Sequence, residues 1–440
     1  MSVSVGEPAI AAIATAAGAG GVGIIRISGG DATKIVKALV GRTKPVKDRR
    51  INYGRAIDES GGVLDEILYF VMKGPRSFTG EDVAEVHGHG GAINMGRLLR
   101  RIYQLGARPA EPGEFTRRAL NAGRIDLVQA EALPGVVSAR CEAGLRAAQS
   151  QLAGKLGEEI RNLSSDCHKL MARYEKEIDF PEDDVSWGSK DESLKAQIQN
   201  CREKTRRLEK TYSVGKAVTN GITVALRGAP NAGKSSLFNA LYGRERALVA
   251  EAPGTTRDFL EGATEWSGVP VEIVDTAGQR STDCDLESRG IALGDRRSAE
   301  CDVEIHLTEW SKGLRVPKGE GRQINVVSKI DLADEKGEGF SISTKTGFGL
   351  EELKAEVIRR VGAGGSSAEA VLVTTERQRD LLRQAGDALT RAYEMAEKSK
   401  ATELVSSEIA AASEHLDGIL GIRSRDEMLD ALFREFCIGK

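Results

Sequence analysis

The chain has 440 residues, 40% of them hydrophobic, which is enough for roughly three domains with real cores. Its formal charge of -3 excludes a globally basic nucleic-acid coat and confines any RNA contact to local patches. The six cysteines, Cys141, Cys167, Cys201, Cys284, Cys301 and Cys437, form no CxxC pair, so they give no sign of a zinc site or a disulfide framework and read as reduced thiols.

The opening "MSVSVGEPAIAAIATAAGAGGVG" is apolar but has no positive leader, and glycines interrupt it before the ~18 apolar residues that a membrane span needs. A cytoplasmic protein with no membrane partner is expected. "IAAIAT" and "VGIIRIS" read as strands and "DATKIVKALV" as a helix. "VLDEILYFVM" and "VAEVHGHG" read as strands and "AINMGRLLRRIYQLG" as a helix. Together they make a small α/β domain over 1–120. From Ile125 the period turns helical, through Leu145, Ala148, Leu152, Leu156, Ile160 and Leu163 to Leu194, Ile198, Cys201 and Leu208. "IDFPEDDVSWGSKDE" reads as an acidic loop between two of these helices, and Pro134 with Gly135 as an interruption of the first. After an α/β stretch the helical period returns with Leu382, Ala385, Leu389 and Ala392, then Leu404, Leu416 and Ile419, with breaks at Gly418 and Gly421. The expected domains are 1–120, 121–216 (helical), 217–364 (an inserted mixed-sheet domain with helices on both faces) and 365–440 (the rest of the helical domain).

The inserted stretch carries chemistry. "ITVALRGAPNAGKSSLFNAL" is a β-branched strand, a Gly228-x4-Gly233-Lys234-Ser235 loop and a helix. Such a loop presents backbone N–H groups to phosphate oxygens, Lys234 reaches the terminal phosphates and the Ser235 hydroxyl ligates Mg²⁺. Asn231, Ala232 and Ser236 complete the loop. In "PGTTRD", Thr256 closes over the γ-phosphate and the Mg²⁺ shell, with Thr255 beside it. "VEIVDTAG" ends a strand at Asp275, which holds Mg²⁺ through water; Thr276, Ala277 and Gly278 follow, and Gly278 offers its N–H to the γ-phosphate. "INVVSKIDL" ends at Ser328, Lys329 and Asp331, and a carboxylate there pairs with the ring N–H and exocyclic amine of guanine, which adenine lacks. Ser343, Thr344 and Lys345 in "SISTKTGFGL" form the last base-contacting loop. Four motifs in this order point to GTP.

This domain resembles the translation-factor-like branch of GTPases. The flanks resemble the MnmE/TrmE family of tRNA-modification GTPases over nearly the whole chain, through "GGVGIIRISG", "SFTGEDVAEVHGHGG", "ARPAEPGEFTRRAL" followed by "RIDLVQAEA", and the terminal "FCIGK". The resemblance implies a homodimeric GTP hydrolase that works with an FAD-dependent flavoprotein of the MnmG (GidA) type. That pair modifies carbon 5 of the wobble uridine of certain tRNAs, using 5-formyl- or methylene-tetrahydrofolate as one-carbon source. It also implies that K⁺ replaces an arginine finger, held by Asn231 and by backbone carbonyls at Ala250, Ala252 and Thr255. Glu287 falls on the family's water-orienting glutamate, while Gln279 stands where Ras-like enzymes carry their water-orienting glutamine; both remain candidates. Ser328 replaces the usual asparagine of the base-reading motif, and the shorter side chain loses an amide brace.

Folate contacts implied by the resemblance fall on Arg26, Glu81 and Arg124, with Lys440 near them. Two arginines suit a folate's glutamate carboxylate and Glu81 accepts from its amino-pyrimidine edge. The same resemblance directs Cys437 toward that site as a nucleophile, a proton donor or a packing thiol. "RDEMLDALFREF" should dock through Met428, Leu429, Leu432, Phe433 and Phe436 and fix the tail in place. His87 and His89 share a strand face without a third ligand nearby. Arg97, Arg100, Arg101, Arg108, Arg117 and Arg118 make either a tRNA-facing basic region or a solvated face. The rival reading is a GTP-dependent RNA or ribosome-assembly switch without covalent chemistry; an ATPase comes third, with Asp331 against it.

Overall fold

The computed structural model describes residues 8–179, 187–242, 262–275, 301–311, 314, 316–317, 319–333, 340–363, 370–398, 402–422, 426–434, 436 and 438–439. The chain divides into two compact units, Met1–Glu131 with Leu420–Lys440, and Ala132–Ile419.

The first unit is built on a six-stranded sheet of β1 (Ile10–Ile13), β2 (Val22–Ser28), β3 (Asn52–Ile57), β4 (Val63–Met72), β5 (Val83–His89) and β6 (Arg108–Pro109), in the order β3-β4-β5-β2-β1-β6. All neighbours are antiparallel except β1 and β6. Helices α1 (Ala32–Leu39) and α2 (Ala92–Gln104) share a core with Ile25, Ile27, Tyr69, Val71, Ala84 and Val86. Because side chains alternate along a strand, Arg26 and Ser28 share one face of β2 while Ile25 and Ile27 share the other. A separate cluster gathers Ile10 and Ala12 with Phe115 of α3 (Glu114–Asn121). Beside it Leu429, Phe433 and Phe436 of the tail are buried with Leu127 and Ala130 of α4 (Leu127–Ser138). Leu432 is partly buried there, whereas Met428 is exposed rather than docked.

The second unit joins a helix bundle to a second six-stranded sheet. The bundle uses α5 (Glu142–Leu152), α6 (Lys155–Asp179), α7 (Trp187–Lys210) and α8 (Tyr212–Asn220). Leu156, Ile160, Leu163, Leu194, Ile198, Cys201 and Leu208 are buried, as their spacing requires; Leu145 and Leu152 are half-buried. The expected acidic loop is shorter than its sequence: both ends are helical and residues 180–186 lie outside the described residues. Pro134 does not end its helix, since α4 continues to Ser138, whose hydroxyl donates to the Pro134 carbonyl at 2.9 Å.

Strands β7 (Ile222–Gly228), β8 (Gly262–Trp266), β9 (Val269–Asp275), β10 (Val303–Glu309), β11 (Gln323–Ser328) and β12 (Phe340–Ser341) run in the order β12-β11-β10-β7-β9-β8. All pairs are parallel except β8 with β9. Helices α9 (Lys234–Tyr242) and α10 (Leu350–Arg360) share a core with Val224, Leu226, Val303, Ile305, Ile324 and Val326. Among the intervening residues of these strands, Arg227, Glu304, His306, Gln323 and Asn325 are half-buried and polar, while Ala225 and Val327 are buried. The connection from β10 to β11 carries no helix among its described residues. Arg360 of α10 holds it instead, donating to the carbonyls of Gly319, Gly321 and Gln323 at 3.0, 2.9 and 2.7 Å. The bundle resumes with α11 (Glu376–Glu397), capped by the Thr375 hydroxyl on the Gln378 N–H at 3.2 Å, and α12 (Thr402–Leu420). Gly418 lies inside α12 and is not a break, and Leu404 is exposed; the helix ends before Gly421. The last helix is α13 (Asp426–Phe433).

Candidate functional site

The strand order of the second sheet reverses at β7, and in such sheets ligands bind outside the carboxyl ends of the strands next to the reversal. The chain from β7 to α9 makes its tight turn there. Gly228 has φ +147°, and a Cβ on it would stand 2.3 Å from the Leu307 carbonyl oxygen of β10, so only glycine lets the two strand ends approach. Asn231 takes a left-handed φ of 66° at the exposed top of the loop. Ala232 and Lys234 are buried, and the Lys234 ammonium donates to the carbonyls of Gly228 (2.7 Å) and Ala229 (2.8 Å). Ser235 and Ser236 expose their side chains on the first turn of α9. Asp275 ends β9 in register with Leu226, at the same sheet edge as this loop.

Ser328, at the end of β11, is buried, and its hydroxyl donates to the Ala232 carbonyl at 2.6 Å. The residue at the base-reading position therefore ties that strand to the phosphate loop. Lys329 follows in a left-handed turn (φ 60°) and pairs with Glu309 at 2.8 Å. Asp331 accepts from the Ser343 hydroxyl at 2.7 Å, which holds its carboxyl below the usual aspartate value and keeps it an acceptor. Ser343 is buried, Thr344 half-buried and Lys345 exposed. Thus the loop residues Asn231 to Ser236, the Ser328–Asp331 turn and the Ser343–Lys345 loop gather at one edge. Ala250, Ala252, Thr255, Thr256, Thr276, Ala277, Gly278, Gln279 and Glu287 lie outside the described residues.

The first unit has its own cluster. Arg26 stands opposite Glu85 in the β2–β5 register, and its Nε and Nη2 both donate to Glu85 Oε1 at 3.0 Å. Its remaining Nη1 lies 3.4 Å from the Gly439 carbonyl oxygen, so the tail reaches this face. Glu81 accepts from the Ser28 hydroxyl at 2.8 Å and from Arg118 Nη1 at 3.1 and 3.0 Å. Arg124 is exposed, donates to the Ser77 carbonyl at 3.2 Å and packs along Gly80. Ser77 in turn donates to the Glu81 carbonyl at 2.5 Å, which joins the contacts of Arg124 and Glu81. Cys437 and Lys440 lie outside the described residues, though Phe436, Ile438 and Gly439 beside them are placed.

Sequence reading missed Glu85, Ser28 and the inner role of Arg118; the signal for the last was Glu114 four residues ahead of Arg118 on one helix. It also grouped six arginines as one basic region. In the fold Arg118 and Arg108 pair with Glu114, Arg117 with Asp430 and Arg101 with Glu59, leaving Arg97 and Arg100 on the exposed side of α2. Acidic partners from distant elements are invisible in a local charge count. His87 pairs with Glu85 and His89 with Asp65, and no group of three or more metal-ligating side chains occurs among the described residues.

A phosphate loop between β7 and α9, an acidic turn after β11 at the position expected to read the base, and an insertion between helices define a P-loop GTPase carried within a helical domain. Residues 127–437 match the family profile of the MnmE helical domain, and residues 9–124 that of the TrmE amino terminus, described as a GTP-binding protein. A protein named tRNA modification GTPase MnmE from Symbiobacterium thermophilum is 38% identical, with 99% of this chain and 100% of the relative covered. Namesakes from Acetivibrio thermocellus (36%, 99% and 99%) and Aquifex aeolicus (37%, 99% and 100%) match as fully. The chain belongs to the MnmE/TrmE family.

Proposed function

We propose that this GTP hydrolase acts in tRNA modification, with an FAD-dependent flavoprotein of the MnmG type, at carbon 5 of the wobble uridine, using a tetrahydrofolate one-carbon unit. The observation that carries the proposal is the joint presence in one chain of the phosphate-loop edge and of the Arg26–Glu85–Gly439 and Glu81–Ser28–Arg118 contacts. A pure switch has no use for the second.

Lys234, buried and held by two loop carbonyls, is the cation for the terminal phosphates, and Asp331 reads guanine. The exposed Ser235 hydroxyl fits Mg²⁺ together with Thr256, and Mg²⁺ supplies charge neutralisation at the phosphates. K⁺ is assigned to Asn231 with the carbonyls of Ala250, Ala252 and Thr255, where it adds positive charge beside the developing phosphoryl charge. Glu287, ahead of Gln279, orients the water. Folate is assigned to Arg26, Glu81, Arg124 and Lys440; a guanidinium, a carboxylate and a second exposed guanidinium fit its anionic and amino-pyrimidine ends. A homodimer in the cytoplasm completes the reading; among the described residues no helix is long and apolar enough to cross a membrane.

Mass analysis of wobble nucleosides in tRNA from cells lacking this protein tests the proposal. Loss of the carbon-5 substituent is expected. Unchanged nucleosides would favour the RNA or ribosome-assembly switch instead.

A further inference from the structure

We infer that Arg118 is a positioning residue of the amino-terminal site: it fixes the Glu81 carboxylate so that Oε1 reads the exocyclic amine of an aminopyrimidinone ligand. The inference rests on the folate reading above.

Arg118 emerges from α3 with its side chain only 6% exposed, while Glu81 is 30% exposed. One nitrogen of its guanidinium, Nη1, spans both Glu81 oxygens at 3.1 and 3.0 Å. The other, Nη2, is occupied by Glu114 Oε1 at 3.0 Å and the Pro8 carbonyl at 3.2 Å. Glu114 is itself gripped by Arg108 Nη1 and by the Glu111 N–H, each at 2.9 Å. Burial pushes the Glu114 carboxyl up, but these hydrogen bonds from Arg108, Glu111 and Arg118 outweigh it and hold the group below the usual value. Charges therefore alternate along Arg108, Glu114, Arg118 and Glu81, and the two inner members are the buried ones. Arg118 is thus neutralised from behind and is not a cation for a ligand carboxylate.

A carboxylate offers about four acceptor directions. On Oε2, Arg118 and the Ser28 hydroxyl (2.8 Å) use both, and Ser28 is itself fixed by Thr79 at 2.7 Å. On Oε1 Arg118 uses one, which leaves one direction on a side chain that is 30% exposed. A donor on the ligand meets a single, preset acceptor, and such preorganisation strengthens binding and selectivity by avoiding reordering on association.

The test uses the purified full-length chain and isothermal titration with 5-formyltetrahydrofolate and its 2-desamino-2-methyl analogue. The parent should prefer the amine-bearing ligand by about tenfold or more, as for one well-made charge-assisted hydrogen bond. Arg118→Lys keeps the charge and removes the fork; it should lose that preference by weakening the amine-bearing ligand alone, with the thermal midpoint kept. Glu114→Gln, which frees Arg118 from behind, should move the preference in the same direction. Equal weakening of both ligands marks a merely structural arginine, and an unchanged preference in both variants also overturns the inference while the folate reading stands. A parent that binds neither ligand, or a Glu81→Gln variant that binds both as the parent does, removes the folate reading and this inference with it.

Discussion

Ser328 stands where a longer amide is usual, and from sequence alone it reads as a lost brace. Its hydroxyl nevertheless donates to the Ala232 carbonyl at 2.6 Å, inside the buried root of the phosphate loop. Sequence identifies the residue type at such a position but not the partner, because the partner comes from a loop 96 residues away by way of the fold. Ser328→Ala leaves that carbonyl without its donor, and an unsatisfied buried acceptor costs about 1–3 kcal/mol. The expected result is GTP affinity reduced by roughly tenfold, read by equilibrium titration, with guanine-over-adenine preference retained through Asp331. Unchanged affinity would show that the tie does not shape the loop.

At the scale of elements, most of the first unit was legible because its strands and helices follow their hydrophobic periods, and the phosphate loop was legible through its spacing. β3 was not, since only Ala56 of that strand is buried and its remaining residues look like loop. Gly418 misled for the opposite reason: a glycine inside a helix costs roughly 1 kcal/mol, and burial of Leu416 and Ile419 beside it overrides that local preference. The helix-free connection after β10 depends on α10. There Arg359 and then Arg360 hold Glu356 down to about 2 from an ordinary 4.5, and Arg360 carries the connection's carbonyls. A depressed carboxyl contributes stability that is complete above its unfolded value and fades as pH falls through its folded one. Unfolding midpoints of the parent should therefore exceed those of Glu356→Gln at neutral pH, with the gap closing between 4.5 and about 2; a gap that stays open down to pH 2 would refute the linkage. The tail makes a second demand. Gly439 has φ +99°, and a Cβ would stand 2.4 Å from the Ile13 carbonyl oxygen, so Gly439→Ala has neither the conformation nor the room. Strain of about 1–3 kcal/mol is expected there, and it should weaken folate binding by roughly ten- to hundredfold in a titration while GTP turnover persists.

For the whole molecule, the sequence motifs marked two groups of residues but could not say which side chains meet, and the clusters around Arg26 and Glu81 needed the fold to appear. GTP turnover offers the broadest check of the proposed cation. Positive charge of the arginine-finger kind contributes roughly 10³ to 10⁵ in rate, so exchange of K⁺ for Na⁺ should slow hydrolysis by orders of magnitude in a steady-state assay; equal rates would remove K⁺ from the mechanism. Arg26 meets the Gly439 carbonyl at 3.4 Å across 413 positions of sequence. Domains fold as units while the ribosome delivers them from the amino end, but this contact cannot form until Gly439 has been translated. The amino-terminal sheet is translated first, and the Gly439 partner of its Arg26 arrives 413 positions later. A product truncated before Gly439 would carry the sheet without this contact.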